Sequence, residues 1–169
     1  MNNTALVRRI RIWLGLFIVG LVLSGLTAFP LERELSILRS LLESSRLTPA
    51  GLLTWVQRVH EAVAATNRQY PFLAYGTDWL AFAHLVIAVA FVGPWRDPVR
   101  NKWIITFGLI ACAGVIPLAL IAGPMRGIPF YWRLIDCSFG VFGAIPMLVC
   151  WRYICKLEES DLRMASRAS

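Results

Sequence analysis

Thr77–Pro98 reads TDWLAFAHLVIAVAFVGPWRDP. From Trp79 to Val92 its one polar side chain is the imidazole of His84, and a carboxylate, Asp78, stands at the entrance. Extended back to Leu73, the run reaches the ~20 residues that a ~30 Å hydrocarbon core requires. Three further runs have the same character, so the expected spans are Ile12–Phe29, Leu73–Val92, Trp103–Ala122 and Leu134–Tyr153. The chain is therefore expected to be all-α, a single polytopic membrane domain built as a four-transmembrane-helix bundle.

Composition agrees. Of 169 residues, 57% are hydrophobic and 16% charged, and mean hydropathy is +0.61. A soluble domain holds roughly half apolar and a quarter charged residues. Net charge is +7, but the cations gather at the ends of the apolar runs, where they set orientation and meet anionic headgroups. No arginine-rich stretch interleaved with aromatics exists, so nucleic acid is not an expected partner. Cys112, Cys137, Cys150 and Cys155 form no C-x-x-C pair and read as small packing residues, not as a disulfide or zinc framework.

Short flanks carry the orientation signal. Arg8, Arg9 and Arg11 precede span one, Arg96, Arg100 and Lys102 join spans two and three, and Arg152 and Lys156 follow span four. These flanks are expected to be cytoplasmic, with both termini inside and the protein in the inner (plasma) membrane. Asn2-Asn3-Thr4 matches a glycosylation sequon but falls on that inner side.

Between spans one and two, Leu31, Leu35, Leu38 and Leu42 recur at helical spacing, followed by Leu52, Val56, Val59 and Val63. Two amphipathic helices over residues 31–66 are expected in this outer loop, with Thr48 as the N-cap of the second and Pro49 in its first turn. The tail from Lys156 to Ser169 is expected to prolong span four by a turn or two and then lose order. Spans one and three open with a cation near a tryptophan, and spans two and four end in Trp-Arg, an echo of two hairpins. Small residues are expected to mediate packing: Gly20/Ser24, Gly108/Cys112, Gly140/Ala144, and the stripe Thr77, Ala81, His84, Ala88.

Ionisable groups inside spans are costly and usually paired, or line a wet cavity. Asp78 and Asp136 fall in the outer halves of spans two and four, and the 3–4 loop offers Arg126 and Arg133. With Tyr75, Tyr131 and Trp132 as a rim and His84 beneath, these residues outline a pocket for an amphipathic molecule such as a lipid, quinone or polyprenyl compound. Asp78 and His84 lie six residues apart, about 240° around a helix, and so cannot grip one ion. His60 reads as a surface residue beside Gln57 and Glu61, and no metal or cofactor is implied. An integral-membrane enzyme using Asp78, His84 and Asp136 on a lipid is the second reading. A purely structural subunit with aspartate–arginine staples is the third. Expected partners are membrane lipids, an amphipathic small molecule, and a larger membrane complex or a second copy.

Overall fold

Helix α1 (Asn3–Ala28) starts well before its apolar run and carries Arg8, Arg9 and Arg11 within it. The arginines stay exposed while Leu6, Ile10 and Leu14 are buried, a stripe at i, i+4 and i+8. Helical hydrogen bonds are internal, so the helix passes out of hydrocarbon without losing any. The computed structural model describes residues 3–168 and is 89% helical, with no strand among those residues. After α1 come α2 (Leu31–Ser44), α3 (Ala50–Gln69), a 3₁₀ turn (Pro71–Leu73) and α4 (Ala74–Ala90). There follow α5 (Val92–Arg96), α6 (Lys102–Pro117), a π turn (Leu118–Ala122), α7 (Gly123–Met125) and α8 (Phe130–Ala168).

Four segments are long and apolar enough to cross a membrane: Asn3–Ala28, Pro71–Arg96, Lys102–Met125 and Phe130–Met164. No more than 22% of any of their apolar windows is buried within the protein. Apolar surface on that scale needs hydrocarbon around it. Pro117 lacks an amide donor, and the chain widens there into the π turn. Pro146, by contrast, sits inside an unbroken α8.

The chain divides into two compact units, one spanning Leu21–Ile87 and the other made of the residues before and after it. In the flanking unit α6 and α8 meet at closest range through glycine. A Cβ on Gly140 would lie 2.5 Å from the carbonyl oxygen of Cys112, and one on Gly108 would lie 2.8 Å from Phe91. Phe17 stacks edge-on against Phe91 at 4.8 Å. At the end holding the N-terminal helix, Arg11 and Trp95 exchange contacts. The guanidinium donates to the Trp95 carbonyl at 3.2 Å, and the indole N–H donates to the Arg11 carbonyl at 3.1 Å. The cation also lies 5.6 Å from the ring centre. Lys102 repeats this on Trp151 at 5.3 Å and adds an ion pair with Glu158. A cation over the tryptophan that closes the following span is thus found in both hairpins.

The tail differs from expectation, because α8 continues as helix to Ala168. Leu157 is buried, Glu158 holds Lys102, and the Ser160 hydroxyl donates to Asn3 at 3.0 Å, which together secure the first turns beyond the apolar run. Asn2 of the sequon lies outside the described residues.

Within Leu21–Ile87, α2 and α3 pack on each other over Leu35 and Val56. Carboxylates of α2 tie the pair at both ends: Glu43 accepts from Gln57 at 3.2 Å and Glu32 accepts from Asn67 at 2.7 Å. Thr48 does not cap α3. Its hydroxyl instead donates to the carbonyl of Leu42 at 2.9 Å, which also accepts from the Ser45 N–H at 3.3 Å. Gly20/Ser24 is not a packing face either: both residues are exposed, and a Cβ on Gly20 meets nothing within 4 Å. Gly25 takes that role, its Cβ position being 2.9 Å from the Ala81 carbonyl and 3.2 Å from His84 Cβ.

Candidate functional site

The turn Phe29–Pro30 brings the start of α2 alongside α3 and the first turn of α4, and a cleft of about 730 Å³ opens between them. Its apolar lining comes from Phe29, Leu31, Val63 and Leu73, and its polar lining from Glu32, Arg33, Ser36, His60, Thr66, Asn67 and Thr77. On α3 the polar residues occupy the buried stripe itself, since Val56, His60, Val63 and Asn67 follow i, i+4, i+7 and i+11. Asn67 orients the Glu32 carboxylate through Oε2. The Thr77 hydroxyl is spent on the Ala74 carbonyl at 2.6 Å.

His60 Nδ1 is buried and has no hydrogen-bond partner. A buried polar atom left unpaired costs about 1–3 kcal/mol. The residue itself lines the cleft, while this nitrogen is enclosed by protein. Expectation placed His60 on the surface among Gln57 and Glu61. It is instead half-buried on the cleft side of α3. The overlooked signal was two polar side chains, His60 and Asn67, set into an otherwise apolar stripe.

The residues singled out from sequence have the following surroundings. Tyr75 is exposed and forms an aromatic ladder with Trp79 and Phe82, with ring centres 5.9 and 6.1 Å apart. Asp78 is half-buried, directly after cleft-lining Thr77. His84 is half-buried, and its Nδ1 donates to the Leu80 carbonyl one turn back at 2.8 Å. Of the other unit's residues, Arg126 and Tyr131 are exposed, while Trp132, Arg133 and Asp136 are half-buried.

Arg133 lays its aliphatic stem on Gly123, where any Cβ would be 2.5 Å from Cδ, and its guanidinium sits 5.1 Å from the Phe130 ring. Its Nε is buried without a partner. Among the described residues Asp136 forms no ion pair with Arg126 or Arg133, so that branch of the staple is not made. All four cysteines are free thiols. Among the described residues no three of His, Cys, Asp and Glu gather closely enough to hold a metal ion.

Comparison of the chain with protein-family models, with curated proteins and with solved structures gave no match.

Proposed function

We propose that this chain is a multi-pass membrane protein that holds an amphipathic molecule in the cleft between α2, α3 and the start of α4. The observation that carries this reading is a cleft of about 730 Å³ whose lining combines Phe29, Leu31, Val63 and Leu73 with Glu32, Arg33 and His60. Volumes of about 300–1,000 Å³ with a few convergent polar groups are typical of small-molecule sites. The lysine and arginine distribution favours an orientation with both termini cytoplasmic. On that orientation α2 and α3 form an outer hairpin at the headgroup level, and the cleft opens where tails meet heads. The exposed Tyr75–Trp79 pair on α4 suits the same interface, where aromatic side chains concentrate.

Filling the cleft tests this. Val63→Trp enlarges a side chain of the cleft wall into an indole. Native mass spectrometry of the full chain released from bilayers is expected to show a bound lipid or isoprenoid on the wild type and none on the variant. Equal occupancy of the two proteins would overturn the assignment.

A further inference from the structure

We infer that the molecule seated in this cleft is an aminophospholipid, whose head carries a phosphate anion and a primary ammonium. The inference rests on the cleft being a ligand seat, as proposed above, and adds the head chemistry. Glu32 and Arg33 are adjacent in the first turn of α2, and both line the cleft. An anionic head would meet the carboxylate and a purely cationic one the guanidinium. A zwitterion satisfies both.

Hydrogen-bond inventory narrows the choice further. Glu32 Oε2 is taken by Asn67 at 2.7 Å, which fixes the carboxylate and leaves Oε1 without a partner among the described residues. A primary ammonium has three N–H donors to give to that oxygen, whereas a trimethylammonium has none. His60 also lines the cleft, and a head bearing both N–H donors and phosphate oxygens can pair with an imidazole in either tautomer. Phe29, Leu31, Val63 and Leu73 supply the apolar wall for the glycerol and the first methylenes. A soluble head group cannot use that wall, so the tails contribute to retention.

The test uses the full chain in nanodiscs holding equal phosphatidylethanolamine, phosphatidylglycerol and phosphatidylcholine, with retained lipid read by native mass spectrometry. Phosphatidylethanolamine is expected to be enriched at least about tenfold over the other two. Glu32→Gln, which keeps an acceptor for Asn67, is expected to abolish the preference over phosphatidylcholine. Arg33→Gln is expected to weaken retention of all three lipids. Excess glycerophosphoethanolamine is expected to leave the bound lipid in place.

Several outcomes would overturn the proposal. Enrichment of phosphatidylglycerol or phosphatidylcholine that Val63→Trp abolishes would refute the head assignment and leave the seat standing. Enrichment unchanged by Glu32→Gln would also refute it. Displacement by glycerophosphoethanolamine would show that the tails contribute nothing. No cleft-dependent retention of any lipid would remove the seat itself. Unchanged circular dichroism of each variant guards against misfolding.

Discussion

The two units use their polar groups in opposite ways. In the unit that flanks Leu21–Ile87, Arg11, Trp95, Lys102 and Glu158 are consumed in pairs, and Gly108 and Gly140 bring side chain and backbone to van der Waals limits. Within Leu21–Ile87, by contrast, Glu32, Arg33, His60 and Thr66 border open space. A region whose polar groups are satisfied by its own chain is built to hold together. One that turns polar groups toward open volume is where the proposed ligand would bind. Arg133 is the partial exception in the first region, but its stem and charge are spent on Gly123 and Phe130.

The contrast is most strongly broken at Gly140. Gly140→Leu drives a side chain into the Cys112 carbonyl, which cannot move aside as a flexible side chain would. A loss of ~3 kcal/mol is expected, read as a lower Tm in detergent. Gly114→Ala, with nothing within 4 Å of its Cβ inside α6, serves as the control and is expected to cause no loss of Tm, or a slight rise. Lys102→Met comes next. It removes the contact with Trp151 and the pair with Glu158, and a loss of about 1 kcal/mol is expected.

His60→Leu sharpens the other side. In lipid-free detergent its Tm is expected to match or slightly exceed the wild type, because no paired group is lost. The rise in Tm that added lipid gives the wild type is expected to shrink in the variant, since a ligand stabilises only in proportion to its binding. A destabilised His60→Leu with an undiminished lipid response would make the residue part of the scaffold.

The smallest effect is expected at the exposed clasp of α2. The Arg39 guanidinium, 2.7 Å away, and then the Gln57 amide hold the Glu43 carboxylate below its ordinary range. A depressed carboxylate stabilises above its ordinary pKa and loses that contribution as pH falls through the lowered value. Glu43→Gln is therefore expected to cause a slight loss of Tm at neutral pH, weaker at high salt and disappearing as pH falls through the lowered pKa. A large loss would show that the clasp holds more than the hairpin.

What could be read from sequence follows the strength of each signal. The four spans were legible because hydrocarbon thickness imposes a length that composition cannot hide. Their ends were not, since the helix of α1 continues through Arg8, Arg9 and Arg11 and α8 runs on beyond Lys156. Gly108 and Gly140 were identifiable as contact glycines. In α1, however, Gly15, Gly20, Ser24 and Gly25 offer competing faces, and only the neighbour decides which one packs. Site legibility was poorer still. Intramembrane charge drew attention to Asp78 and Asp136, whereas the cleft is lined by Thr77 and by residues of the α2–α3 hairpin. His60 looked like a surface residue because Gln57 and Glu61 stand beside it in sequence, while its own position belongs to the stripe of Val56 and Val63.

The central claim is that amphipathic molecules occupy the cleft in preference to the rest of the exposed apolar surface. Photo-crosslinking in bilayers with a phospholipid bearing a diazirine close to its glycerol tests that most directly, with the labelled peptides mapped by mass spectrometry. Labels are expected to concentrate on residues 29–36, 60–67 and 73–77 and to fall sharply in Val63→Trp. Labels spread evenly over exposed positions such as Val19, Leu118 and Phe139, and indifferent to that substitution, would contradict it.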